Sequence, residues 1–143
     1  MENIETILEK FPFTTTINVQ WGEMDAARHV NNTIYLRWAE TARIQCFQQL
    51  SLTTAERARQ GIILGWQDCK YIFPVTYPDT VRIGIQVTEI GSDRFMLQCQ
   101  IYSSRHQRLA AITNHRLVAY NYETLQKVDL SAQWKAQMET LHL

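Results

Sequence analysis

The sequence predicts an α+β domain: a curved antiparallel sheet of five strands wrapped around one long central helix. Three observations carry that expectation. The stretch from Thr33 to about Leu50 is apolar over most of a helical circumference. After residue 61 the hydrophobic period changes to two, with turn residues between successive runs. One further alternating run precedes the helix, and no linker or repeat divides the chain.

Along the chain, residues 1 to about 12 form a short amphipathic lead-in that ends at Pro12. Phe13 to Trp21 alternates and is rich in β-branched residues, so it reads as a strand. A polar loop, Gly22-Glu23-Met24-Asp25-Ala26-Ala27-Arg28-His29-Val30, leads to Asn31 and Asn32, both good helix caps. On the helix that follows, Tyr35, Trp38, Ala39, Ala42, Cys46 and Leu50 share one arc. Ile34, Leu36 and Phe47 widen it, leaving Thr33, Arg37, Glu40, Thr41 and Gln48 a narrow polar remainder. A helix so apolar is expected to be largely enclosed. Glu40 and Arg43, three apart, suit a helix-surface ion pair. Thr53 to Gln60 reads as a short second helix stopped by Gly61.

The later strands follow in hairpin order. Ile62 to Phe73 is mostly apolar and ends at Pro74. Val81, Ile83, Ile85 and Val87 alternate with Arg82, Gly84, Gln86 and Thr88, and Phe95, Leu97, Cys99 and Ile101 with Met96, Gln98, Gln100 and Tyr102. Gly91-Ser92-Asp93 and Ser103 to Gln107 read as turns, and Arg108 to Tyr122 as a long strand. Ser131 is placed to cap a last helix with Trp134, Met138 and Leu141 on one face. A single sheet on one helix leaves open edges, so two copies are expected to pair.

Composition bounds function. The chain has 143 residues, 45% of them hydrophobic and 20% charged, which suits a single domain with a substantial core. Formal net charge is zero, which argues against bulk nucleic-acid or anionic-membrane binding. No apolar run is long enough to span a bilayer, and the acidic Met1-Glu2-Asn3-Ile4-Glu5 start predicts no signal peptide. Cys46, Cys69 and Cys99 match neither a disulfide framework nor a zinc site, so reduced thiols in the cytoplasm are expected. His106, His115 and His142 lack metal-ligand spacing.

More specific is the run Trp21-Gly22-Glu23-Met24-Asp25 … His29-Val30-Asn31-Asn32 … Tyr35-Leu36-Arg37-Trp38-Ala39-Glu40-Thr41-Ala42-Arg43. With Tyr71-Ile72-Phe73-Pro74-Val75, Asp79-Thr80-Val81 and Ile90-Gly91-Ser92, it resembles the signature of hotdog-fold acyl-CoA thioesterases of the 4-hydroxybenzoyl-CoA thioesterase type. The resemblance implies a curved sheet around a central helix, in homodimers or homotetramers with active sites between subunits. It implies Asp25 as the catalytic carboxylate. It implies Asn32 as the helix-start residue whose backbone N–H polarises the thioester carbonyl, with His29 beside them. Asn31, Arg28 and Tyr35 are the implied substrate contacts. Many members carry Gly at the position of Arg28, so here the loop is expected to differ in shape or to meet a substrate anion.

The chemistry these residues suit is acyl-CoA hydrolysis. A thioester oxygen that gathers negative charge is stabilised by N–H donors and the dipole at a helix start. Asp25 then attacks directly or activates water as a general base. The thiolate leaves readily, so neither a metal nor an organic cofactor is called for. Lys70, Arg94, Arg105 and Arg108 are available to the phosphates of coenzyme A. Each residue also has a plainer role: Asp25 as a solvated or turn carboxylate, the two asparagines as caps, His29 as a loop brace, Tyr35 and Trp38 as core. Glu40 is a minor alternative to Asp25, since in some hotdog thioesterases a helix carboxylate is catalytic. A hydratase-dehydratase and a non-catalytic acyl-CoA-binding protein are the competing classes.

Overall fold

The computed structural model describes residues 3–53 and 60–142. The expected short helix from Thr53 to Gln60 falls almost wholly on residues 54–59, outside the described part. The elements are α1 (Ile4–Leu8), β1 (Phe13–Asn18), α2 (Asn32–Gln49), β2 (Gly61–Tyr71), β3 (Thr80–Ile90), β4 (Arg94–Ser103), β5 (Arg108–Asn121), the two-residue β6 (Gln126–Lys127) and α3 (Ala132–Leu141). This is the antiparallel sheet on a long helix that defines the hotdog fold.

The strand order is β1-β3-β4-β5-β2, with β6 continuing beside the end of β5. The β3-β4-β5 meander agrees with the period-two reading. The simple hairpin succession does not hold for β2, which crosses the sheet to pair with β5, from Gly61↔Tyr120 to Tyr71↔Ala111. The segment after β2 explains the departure. It carries Pro74 and Pro78, which cannot donate to a ladder. Its backbone is tied elsewhere: Ile72 and Phe73 donate to the Ala110 carbonyl, and the Val75 carbonyl accepts from Val30. The crossing chain therefore reaches the loop before α2 instead of turning into β3.

Helix α2 lies on the concave face. Tyr35, Trp38, Ala39, Ala42, Cys46 and Phe47 join Ile83, Ile85, Leu97 and Ile101 in one continuous core. Burying each large apolar side chain contributes about 1.5–3 kcal/mol, so this face holds the helix in place. The enclosure is less complete than expected. Ile34 and Leu36 are half-buried, and Thr33, Arg37, Glu40, Thr41, Ile44, Gln45, Gln48 and Gln49 are exposed. One sheet can cover only one side of a helix, so the outer side remains open in a single chain.

The ends of the core are closed by short elements. Ser131 Oγ accepts from Trp134 N at 3.2 Å and starts α3, which buries Trp134, Met138 and Leu141. The Trp134 ring meets Phe47 edge-on at 5.0 Å and stacks on Phe95 at 6.1 Å. On the convex face, Ile4 and Leu8 of α1 pack with Tyr102. Gly84 lies under the Phe11 ring, where a Cβ would come within 2.5 Å of ring carbons, so this approach requires glycine.

Candidate active site

The loop before α2 is built from its own backbone. Met24 and Val30 bridge antiparallel, Asp25 N donates to the His29 carbonyl at 2.9 Å, and Arg28 N donates to the Asp25 carbonyl at 2.9 Å. Arg28 closes this turn at φ 62°, the left-handed region. A non-glycine residue there costs roughly 1–2 kcal/mol. Asp25 Oδ1 accepts from Ala27 N at 2.9 Å, which fixes the exposed carboxylate on the loop. The His29 imidazole is exposed and has no partner among the described residues; its carbonyl, not its ring, braces the loop.

Glu23, which the sequence reading passed over, ties this loop to the helix. One carboxylate oxygen accepts from Gln20 N at 2.7 Å, the other from Trp38 Nε1 at 3.2 Å. Its carbonyl accepts from Asn31 N at 3.0 Å.

The two asparagines divide the work at the helix start. Asn31 is the cap: its Oδ1 accepts from Thr33 N at 2.9 Å and from Thr33 Oγ1 at 2.8 Å, and its carbonyl accepts from Ile34 N. Asn32 is the first helical residue. Among the described residues, nothing accepts from its N–H. Its carbonyl accepts from the Tyr71 hydroxyl at 2.8 Å, so the end of β2 holds the helix start. This bridge joins elements 39 residues apart, beyond the reach of any local pattern.

Asn32 lines a depression of about 230 Å³ together with Val30, Tyr35, Tyr71, Ile72 and Phe73. The Tyr35 and Tyr71 rings meet edge to face at 5.2 Å. Tyr35 is buried and accepts from Val75 N at 2.9 Å; burial raises its phenol above the usual tyrosine range. Partial desolvation of the half-exposed Tyr71, with the neighbouring Cys69, pushes its phenol up to about 12, so both rings are neutral hydroxyls at physiological pH. Asp25 and Arg28 line a second depression, of about 400 Å³, with Trp21 and Met24. In a single chain, Asn32 and Tyr35 thus share one hollow and Asp25 and Arg28 another. Asn31 shapes the helix start, and His29 lines neither.

Beneath the middle of α2 lies a polar group the sequence did not reveal. Arg43 is buried, only 7% exposed, while Glu40 at 3.8 Å is open to solvent. The expected surface pair is therefore half interior, and among the described residues the Arg43 Nη1 atom has no partner. Burial lowers the guanidinium pKa, which Glu40 partly offsets. Fully buried His115 has Nδ1 3.0 Å from Gln67 Oε1 and Nε2 2.7 Å from Thr113 Oγ1. Burial first, then the Arg43 charge, depresses its pKa to about 4, with Asp68 acting in the opposite sense.

A long helix on a curved antiparallel sheet, with an unpartnered amide at the helix start, places the molecule in the hotdog class. The family model for the Thioesterase-like superfamily matches residues 19–138, and the chain belongs to that superfamily. The solved structure of PA2801, a proposed thioesterase from Pseudomonas aeruginosa, is 26% identical with a TM-score of 0.81, covering 89% of this chain and 98% of that one. A thioesterase from Thermus thermophilus, solved in complex with coenzyme A and Zn, is 23% identical, with a TM-score of 0.80 and coverage of 93% and 96%. YsmA, an uncharacterized protein of Bacillus subtilis, is 25% identical over 87 residues, 61% of this chain and 58% of that protein.

Proposed function

We propose that the protein hydrolyses an acyl-CoA thioester to a free carboxylic acid and coenzyme A. The observation that carries this reading is the Asn32 N–H: without a partner among the described residues, first in an 18-residue helix, and on a residue that lines a largely apolar hollow. A thioester carbonyl oxygen seated there meets a fixed donor and the positive end of the helix dipole. We assign the reacting carboxylate to Asp25 by the resemblance of its loop; in a single chain it lines the neighbouring hollow, so the reading requires the thioester to bridge the two. In the nucleophilic route its oxygen bonds the thioester carbon, the carbon–sulfur bond breaks, the thiolate leaves, and water then opens the acyl-aspartate anhydride. In the general-base route Asp25 takes a proton from water as its oxygen adds to the carbon, and the same thiolate departs. Both routes end in acid and thiol, with no redox change. Superfamily membership and the likeness to coenzyme A-binding and thioesterase structures support this chemistry.

The reading includes a second copy of the chain. Among the described residues the β2 edge is unpaired on one side, and Leu64, Trp66 and Tyr71 of β2, with Ile72 just after it, are exposed. Pairing along it covers these residues and encloses the hollow beside Tyr71, so the substrate lies where two protomers meet. No helix among the described residues is long and apolar enough to cross a membrane. Cys46, Cys69 and Cys99 are free thiols, which suits the reducing cytoplasm.

A second reading, acyl-CoA binding without turnover, draws on Arg28 and on the Asp25 carboxylate already held by Ala27 N. Thiol release from short-chain, long-chain and aromatic acyl-CoAs, read with a thiol-reactive dye, separates the two. Turnover of at least one substrate is expected. Saturable binding with no thiol release across the panel would select the second reading. Hydration of crotonyl-CoA without thiol release would select a hydratase.

A further inference from the structure

We infer that Arg108, the first residue of β5, and Arg105 in the turn before it bind an anionic group of the substrate beside the hollow that Asn32 lines. The inference rests on the thioester reading and adds the part of the substrate that the hollow does not take. Four cations are candidates by sequence, and the structure separates them. Arg94 pairs with Asp93 at 3.4 Å and begins β4, at the opposite end of the strand from the turn. Lys70 alternates with Cys69 and Tyr71, so it points to the convex face, away from α2. Arg105 and Arg108 remain.

Arg108 lies against the site itself. Its guanidinium carbon sits 4.4 Å over the ring of Phe73, and Phe73 is a wall of the hollow. The His106 ring meets the same phenylalanine at 4.9 Å. The backbone gives the same placement: Ile72 and Phe73 N both bond the Ala110 carbonyl, two residues or roughly 7 Å along β5 from Arg108. A group leaving the hollow past Phe73 meets Arg108 first; Arg105 lies three residues earlier in the same turn, where its Nη1 donates to the Pro78 carbonyl at 3.5 Å.

The charges are also available. Among the described residues, neither Arg105 nor Arg108 makes an ion pair. The nearby carboxylate, Asp79, is already engaged: it accepts from Arg105 N at 2.9 Å, from Thr80 N at 2.6 Å and from the Ser103 hydroxyl. These bonds fix the turn while leaving the Arg108 side chain on the ring. A guanidinium over an aromatic face still has N–H donors free for an oxyanion. The chemistry fits either a phosphate of coenzyme A or a carboxylate on the acyl group.

The test compares the wild type with Arg108→Gln, Arg105→Gln and the double variant on three thioesters. Benzoyl-CoA carries phosphates, succinyl-pantetheine a carboxylate, and benzoyl-pantetheine neither. Dissociation constants by calorimetry are measured alongside KM, so the binding claim is read even if no thiol is released. Losing one charged contact is expected to weaken binding roughly tenfold, with kcat nearly unchanged and benzoyl-pantetheine unaffected. A penalty confined to benzoyl-CoA identifies the phosphate; one confined to succinyl-pantetheine identifies the acyl carboxylate. Arg108→Lys, which keeps the charge, should stay within a few-fold of wild type, and Lys127→Gln, on distant β6, should change nothing. If Arg108→Gln and the double variant leave every KM and Kd within twofold of wild type, the inference is wrong, whatever the wild type hydrolyses. If the wild type releases no thiol but Arg108→Gln still weakens CoA or succinyl-pantetheine binding tenfold, the anion site stands and hydrolysis fails.

Discussion

The Asn32 amide can be removed almost alone. Asn32 occupies the first helical position, where proline fits because the N–H has no helical partner. Proline also restricts the residue before it to extended backbone, and Asn31 is already there at φ −58°, ψ 140°. The Asn32 carbonyl that receives the Tyr71 hydroxyl is retained, and so is the Asn31 cap. Asn32→Pro therefore deletes one donor and little else, and the melting temperature should change by no more than a few degrees. Loss of a single oxyanion donor costs roughly 10²–10³ in kcat, about 3–4 kcal/mol of transition-state stabilisation. Asn32→Ala keeps the N–H and should retain most activity. The assay is steady-state thiol release on the best acyl-CoA, with circular dichroism to confirm the fold. A folded Asn32→Pro enzyme with kcat within threefold of wild type would refute the assignment of this amide.

Three other outcomes follow from the geometry. His115 is neutral in the fold with a pKa near 4, against 6.5 when unfolded. Its contribution is therefore complete above pH 6.5 and is lost as pH falls toward 4, by about 3 kcal/mol in total; urea midpoints at pH 7.5 and 4.5 should separate far less in His115→Gln than in wild type. Arg43→Met removes a buried guanidinium with an orphaned Nη1, so it should be neutral or stabilising by about 1–3 kcal/mol and should raise the His115 pKa; denaturation and proton NMR titration check the two parts. Tyr71→Phe breaks one hydrogen bond to Asn32, which is expected to cost up to about 1 kcal/mol of stability and several-fold in kcat; a kcat equal to wild type would remove Tyr71 as a positioning residue.

Much of this fold is readable because its signals are local. The period-two alternation through Val81 to Val87 and Phe95 to Ile101 identifies β3 and β4, and the Ser131 cap identifies α3. The apolar arc predicts the long helix from Thr33 to about Leu50, and it runs Asn32–Gln49. The pairing of β2 with β5 is hidden, since strand partners are set by where a crossing segment goes, not by alternation. Burial of Arg43 is equally hidden, because an i,i+3 pair with Glu40 has the same spacing whichever end is interior. The helix-start amide is legible from the Asn31-Asn32 pair, but Glu23 and Tyr71, which brace it, act across 15 and 39 residues and leave no local pattern.

The central claim is that the Asp25 carboxylate and the Asn32 amide act on one thioester carbonyl. The most direct measurement is single-turnover thiol release by wild type and Asp25→Asn, under conditions where both bind the same acyl-CoA. Asparagine can neither attack effectively nor take a proton from water, so a loss of at least about 10² in rate with little change in Kd is expected. Equal rates for the two proteins would contradict the account and leave residue 25 as a turn carboxylate.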